Sequence, residues 1–345
     1  MTTDDRPLVS IIIPNYNYAR TLGMCLRAAL NQTYGPMEIL VVDDGSTDDS
    51  VAIAQGLGVS VISTPANGGC AAARNFGVAR AAGEVLFFID SDVAIAPDAV
   101  EVAVAQLRSD PRIGVVCGIE DPEPLIRDSL LEEYRALQYH YWSVSGEGNV
   151  TFLFPAMCAM RREVFDEIGP FNTRLRHTEE VDYGYRVSRR YDLRLTSAIS
   201  GRHDHDDSLR VLLRKLFHRG RMRIPLYARA QAFAQGFETR WRAYGSVAAL
   251  AALVSVVVPV VFGAAWWAVP ALLFAVSVLC DAGLYAFVAR RRSIAFLGYF
   301  VVIHFLVNVT IATAAATGVL QWLTSGTFRR LYDPAPGGAL EEAGA

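Results

Sequence analysis

The sequence predicts an α/β fold with a mostly parallel doubly wound sheet, followed by an interfacial amphipathic helix and a helical membrane domain. Three observations predict it. Apolar, β-favouring runs alternate with helical patterns through the first half of the 345 residues. Acid pairs stand where two of those runs end. From Ala243 to Cys280, and again from Ser293 to Phe328, no charged residue occurs, and a membrane-crossing helix needs roughly 20 apolar residues.

The elements follow in order. VSIIIP (9–14) is a strand ending at Pro14, and ARTLGMCLRAALNQ (19–32) has apolar residues at helical spacing. EILVVDD (38–44) is the second strand. Asp48 and Asp49 open a helix, where acids suit the positive end of the dipole. VSVIST (59–64) is a third strand, CAAARNFGVARAA (70–82) a helix, and VLFFID (85–90) a fourth strand. Pro97 opens the next helix and IGVVCG (113–118) is a fifth strand. No G-x-G-x-x-G follows the first strand, which disfavours a dehydrogenase-type dinucleotide fold. The segment 119–160 carries no readable motif. RREVFDEIG (161–169) is a short helix closed by Gly169, and TEEVDYGYRVSRR (178–190) a helix with acids in its first turn.

Composition changes sharply beyond this point. The chain is 52% hydrophobic and 19% charged with a net charge of −3, but residues 209–242 are strongly basic. LRVLLRKLFHRGRMRIPLYAR (209–229) sets Leu209, Leu212, Leu213, Leu216 and Phe217 on one face and Arg210, Arg214 and Arg221 on another. A basic amphipathic helix just ahead of apolar segments suits an interface with anionic headgroups. The expected organisation is therefore a catalytic domain over 1–207, an interfacial helix and linker over 208–242, membrane helices over 243–328 (243–263, 265–289 and 294–323), and a disordered tail over 329–345.

Charge argues the topology. MTTDDRPLVS lacks a signal peptide's basic start and apolar core, so the leading domain is expected in the cytoplasm, on a multi-pass protein of the inner or plasma membrane. Arg290, Arg291 and Arg292 follow the second span and belong inside. The last apolar stretch poses a conflict. A single span leaves Arg329 and Arg330 outside, against the positive-inside rule, whereas a hairpin returns them but is short for two crossings. Three spans is the reading adopted. Asp281 falls within the second span, where a carboxylate is a functional candidate. Five scattered cysteines without a C-x-x-C spacing suit reduced, structural thiols.

The acids carry the chemistry. Asp43 and Asp44 end the second strand, and Asp90 and Asp92 the fourth. Ligands of open α/β sheets bind beyond the carboxyl ends of the strands. Residues i and i+2 of an extended segment point the same way, so Asp90 and Asp92 can face one ligand. Carboxylates aimed at one point repel unless a cation lies between them. A divalent metal, Mn²⁺ or Mg²⁺, bridging to a diphosphate is the expectation.

VSIIIPNYNYARTLGMCLRAALNQTYGPMEILVVDDGSTDDS, followed by NGGCAAARNFGVARAAGEVLFFIDSDV, resembles family-two glycosyltransferases with the GT-A fold. The likeness covers about residues 8–220. It implies a UDP- or GDP-sugar donor, a divalent metal and inversion at the anomeric carbon. It matches Pro14, Asn15, Tyr16 and Asn17 to a loop contacting base and ribose, and Asp44, with Asp43 beside it, to a contact of the donor base. Arg74 matches a basic residue near the nucleotide. Asp90 and Asp92 match the D-x-D pair, with Asp92 as metal ligand, and His203 or His205 matches a histidine near the metal or diphosphate. Glu179 and Glu180 fall at the family's Glu-Asp, whose second acid is the general base; Glu180 is one methylene longer than the usual aspartate.

The expected activity is transfer of a sugar to a lipid-linked or cell-envelope acceptor at a membrane surface. The partners are then the nucleotide sugar, the acceptor and membrane lipids, with no nucleic acid among them. Two alternatives stand beside it. A processive polysaccharide synthase would carry Q-x-x-R-W, but here Gln235 lies two residues too far from Arg240 and Trp241. A non-catalytic membrane scaffold with a decayed transferase domain is opposed by the intact acids.

Overall fold

The computed structural model describes residues 6–175, 177–230 and 239–333. The catalytic part starts as the sequence predicts: β1 (Val9–Asn15), α1 (Ala19–Leu30), β2 (Met37–Asp43), α2 (Ser50–Gly56), β3 (Ser60–Ser63), α3 (Cys70–Val78) and β4 (Val85–Ile89). It continues with β5 (Val93–Ile95), α4 (Ala99–Ser109), β6 (Ile113–Glu120), α5 (Leu130–Val144), β7 (Gly148–Asn149), β8 (Met157–Arg161), α6 (Arg162–Ile168), α7 (Glu179–Ser188) and β9 (Asp192–His203).

These strands form one sheet in the order β3-β2-β1-β4-β8-β6-β9-β5, with β7 pairing β9. β3, β2, β1 and β4 are parallel, and so are β6 and β9. The sheet is mixed rather than wholly parallel, because β8 runs antiparallel between β4 and β6 and β5 runs antiparallel to β9. The period-two side-chain alternation of strands sorts β4 cleanly. Phe87 and Ile89 enter one core, while Leu86 and Phe88 enter the other, on the opposite face of the sheet.

α5 is not among the expected elements, although its start carries a capping box. The Ser129 hydroxyl accepts from the Glu132 amide and the Glu132 carboxylate accepts from the Ser129 amide. α5 packs against the C-terminal half of the molecule. Its Leu131, Tyr134, Leu137 and Trp142 form one cluster with Leu212, Leu284, Val288, Phe296, Phe300 and Val307 of the C-terminal half.

That half comprises α8 (Leu209–Ala230), α9 (Arg240–Ser255), α10 (Val257–Phe262), α11 (Ala268–Leu279), α12 (Ala282–Ala289), α13 (Ile294–Thr324) and α14 (Gly326–Arg329). Among the described residues, two helices are long and apolar enough to cross a membrane, 240–262 and α13. The expected span 265–289 consists of two helices bent by 73°, which together meet the same length and apolarity as one broken span. The break falls at Asp281, whose carboxylate accepts from Trp142 Nε1 at 2.7 Å and lies 3.8 Å from both Arg242 and His304. A carboxylate at membrane depth is costly unless partnered, and the bend is what delivers Asp281 to those partners.

The C-terminal end differs from expectation as well. Residues 329–333 are folded: Tyr332 is buried in the catalytic core and donates to Thr178 Oγ1 at 2.8 Å. Residues 334–345, and with them most of the expected tail, lie outside the described residues, as does Gln235.

Candidate active site

The sheet's pairing builds the site. Asn15 and Asp43 are register partners at the ends of β1 and β2. Asn15 Nδ2 donates to Ser46 Oγ at 3.0 Å, and the Asn17 side chain accepts from the Thr47 amide at 2.7 Å. Asn17 sits in left-handed backbone (φ 59°), which asparagine tolerates better than most residues. β1 runs one residue past Pro14, where the strand was expected to end, to Asn15, and Tyr16 stands half exposed just beyond it. The carboxylate of Asp43 accepts from the amides of Gly45 and Ser46. That of Asp44 accepts from Gly68 at 3.0 Å, Gly69 at 2.7 Å and the Thr64 hydroxyl at 2.7 Å. Asp44 thus ties the loop 64–69 to the strand ends, and its oxygens face protein donors.

Asp90 and Asp92 diverge. Asp90 pairs with Arg74 at 2.7 Å, and the same buried guanidinium reaches Glu179 at 3.4 Å. Burial opposes the charge of Arg74, but Asp90 outweighs it and raises its pKa further. Arg74 therefore links the first acid of D-x-D to the first turn of α7. Asp92 turns the other way. β5 begins at the next residue and pairs Val93 with His203 on β9, which sets His203 Nε2 3.3 Å from Asp92 Oδ1.

Glu120 completes this second group. Sequence reasoning missed it, although it ends an apolar strand just as Asp43 does. β6 pairs Glu120 with Gly201 on β9. Its two carboxylate oxygens lie 2.9 Å from His203 Nδ1 and 3.4 Å from His205 Nε2. The ligand atoms of Glu120, His203 and His205 lie within 4.8 Å of one another. Asp92 Oδ1, Glu120 Oε2, His203 Nδ1 and His205 Nε2 are buried without an aligned hydrogen bond. A set of buried, unsatisfied carboxylate and imidazole atoms fits a divalent cation. Burial opposes protonation of His203, yet Glu120 and then Asp92 raise its pKa well above the imidazole range. Burial drives that of His205 down. Burial also opposes the charge of Asp92, but His203 beside it prevails and lowers its pKa.

The α7 acids are the third group. Burial first, and the neighbouring Glu180 second, push Glu179 up to about 7. Glu180 lies 3.4 Å from Arg223 of α8. That arginine, also over the Phe152 ring at 5.0 Å, is a partner the sequence did not reveal, since it lies 43 residues away on another element. α7 can approach so closely because residue 184 is glycine. A Cβ there would stand 2.5 Å from the Leu153 amide nitrogen. Arg240 and Trp241 open α9, with Trp241 exposed.

Residues 10–169 match the model of Glycosyl transferase family 2. An uncharacterized glycosyltransferase of Haemophilus influenzae is 43% identical over 28% of this chain and 40% of its own length. A glycosyltransferase of Streptococcus pneumoniae is 28% identical over 47% of this chain and 59% of its own. A hyaluronan synthase of Pasteurella multocida is 39% identical over 32% of this chain but 12% of its own. The chain thus matches less than two thirds of each of these relatives. The structure of a mannosyltransferase from Pyrobaculum calidifontis, in complex with GDP-Man and Mn²⁺, is similar in fold. It has a TM-score of 0.57 and 18% identity, over 93% of this chain and 88% of that one. Residues 10–169 thus resemble the family-two glycosyltransferases and share the GT-A fold, and among the described residues helices long and apolar enough to cross a membrane follow them.

Proposed function

We propose that the protein is a membrane-anchored, inverting, metal-dependent glycosyltransferase acting on a lipid-linked or cell-envelope acceptor, with its catalytic domain on the cytoplasmic face. The observation that carries this reading is the convergence of Asp92, Glu120, His203 and His205 at the ends of β6 and β9, beside the Arg74–Asp90 pair. Those four residues would hold the cation. Two imidazoles among the donors favour Mn²⁺ over Mg²⁺, which prefers oxygen alone. A bound divalent ion neutralises the charge that grows on a departing diphosphate.

The chain's own groups do the rest. Pro14, Asn15, Tyr16 and Asn17, with Asp43 and Asp44 behind them, line the nucleotide side, Tyr16 offering an exposed ring. Arg74 orients Asp90 toward the donor and Glu179 toward the acceptor. Glu180 accepts the proton of an acceptor hydroxyl on the face opposite the diphosphate, as direct displacement requires. One observation favours a second assignment within the same mechanism: Glu179, pushed up to about 7, has the affinity for a proton that suits a general base near neutrality.

Nucleotide release from a panel of UDP- and GDP-sugars with Mn²⁺ tests the reading. Release by the wild type and its loss in Asp92→Asn supports it. Release unaffected by that change sinks the site, and no release from any donor favours a non-catalytic scaffold. Between Glu180→Gln and Glu179→Gln, the variant that abolishes transfer to acceptor identifies the base. A polymeric product from a single donor would instead mark a processive synthase.

A further inference from the structure

α13 meets every length and composition criterion for a membrane span, yet its contacts argue against a crossing. Its 31 residues make a rod of about 46 Å at 1.5 Å per residue. A crossing helix has its ends on opposite sides of a roughly 30 Å hydrocarbon layer. Here both ends are fastened to the catalytic domain. Ahead of the helix, Arg292 pairs with Glu123 at 2.7 Å and Glu133 at 3.1 Å. Beyond it, Tyr332 donates to Thr178 Oγ1 at 2.8 Å and to the Met222 carbonyl at 2.9 Å, and Arg174 and Arg229 hold Asp333.

Protein also covers one side of α13 between those ends. Phe300 and His304 pack on Tyr134 of α5. Gly318 lies so close to α8 that an added Cβ would stand 2.6 Å from Ile224 and 2.8 Å from the Arg221 carbonyl. α8 is in turn pinned to the catalytic domain by Arg223–Glu180 and by Lys215–Asp206 at 2.6 Å. The opposite face of α13 is an exposed, uncharged stripe at helical spacing: Gly298, Val302, Leu306, Thr313, Leu320 and Leu323. Exposed arginines flank it, Arg290 and Arg291 at one end and Arg329 and Arg330 at the other.

Carrying α13 across a bilayer would drag α8, with its exposed Arg210, Arg214, Lys215 and Arg219, into hydrocarbon, at several kcal/mol per charge. Leaving it in water would expose the whole apolar stripe. We infer that α13 lies flat in the leaflet facing the catalytic domain, its stripe among the acyl chains and its flanking arginines among the phosphate headgroups. The inference rests on the membrane-anchored reading above. The chain then crosses through 240–262 and returns through the bent pair over 264–289, taken as one broken span. Arg290–Arg292 and Arg329–Arg330 return to the side of the catalytic domain, which removes the conflict with the positive-inside rule. Glu180, bound to α8, comes to lie one helix layer above α13, roughly 10 Å between axes, where a headgroup-borne acceptor can reach it.

Site-directed spin labels on the full chain in proteoliposomes test this. With Cys70 and Cys280 changed to serine, labels are placed singly at Gly298→Cys, Leu306→Cys and Leu320→Cys, and immersion depth is read by relaxation agents. A flat helix places all three at similar shallow depth, within a few ångströms. A crossing helix separates Leu306 from Leu320 by up to about 20 Å along the normal, and that result overturns the inference. Epitope tags at the two termini, probed in sealed vesicles, should lie on the same side; tags on opposite sides also overturn it. Failure of the unlabelled protein to float with liposomes removes the membrane-anchored reading itself. Flotation with unequal depths removes only the flat placement.

Discussion

At the scale of single residues, the site is a set of charges whose positions follow from strand ends. Asp92→Asn takes away a carboxylate from the cluster proposed above to hold the cation. Removing one preorganised electrostatic contact commonly costs about 10²–10³ in rate, so Mn²⁺-dependent nucleotide release should fall by that factor. Glu120→Gln should weaken Mn²⁺ binding by roughly 10–100-fold, read by titrating the metal against release. The cation and a proton compete for the same place, because His203 is held protonated by Glu120 and Asp92. Mn²⁺ binding near pH 7 should therefore release protons, seen as a binding enthalpy that changes with the ionisation enthalpy of the buffer. Glu179 gives a second pH effect. Its folded pKa of about 7 exceeds the ordinary 4.5, so the folded state holds a proton that the unfolded chain has lost. Stability contributed by this group falls as pH rises from about 4.5 to about 7. Thermal unfolding of Glu179→Gln should accordingly decline less than wild type across that window.

At the scale of elements, much was legible. β1 to β4, α6 and α7 were readable because each combines a clean periodicity with a punctuating residue, such as Pro14 or Gly169, the latter at φ 84°. β5, β7, β8 and β9 were not. The first three are short, and what makes them strands is the partner beside them, as when β8 fills the space between β4 and β6; β9, 12 residues long, mixes polar and apolar positions without a clean alternation. α5 was missed although Ser129 and Glu132 stand at capping-box spacing. The tight passage of α7 beside Leu153 gives this scale its prediction. Gly184→Ala forces a Cβ against backbone, which cannot move as a side-chain end would. It should lower stability by roughly 1–3 kcal/mol and displace Glu179 and Glu180. Measured together, unfolding temperature and transfer to acceptor should both drop. Gly318→Val should part α13 from α8 and loosen membrane association in flotation, while Mn²⁺ binding at the distant cluster stays unchanged.

At the scale of the whole molecule, composition determined that an α/β half precedes an oily helical half, since only burial in protein or lipid accommodates charge-free stretches of this length. Local pattern also placed Asp43, Asp44, Asp90, Asp92, Glu179 and Glu180 at element ends, because strands and helices announce their termini in neighbouring residues. Only the tertiary structure decided which of these acids meet. Asp90 goes to Arg74 and Asp92 to His203, because Arg74 lies on α3 whereas β5 carries Asp92 to β9. Glu120, Arg223 and Tyr332 joined their partners across intervals of 83, 43 and 154 residues. Those contacts depend on sheet order and helix docking, and no local periodicity encodes them. The same holds for α13. Its apolarity is written in the sequence, but whether it crosses or lies flat depends on where its two ends are fastened.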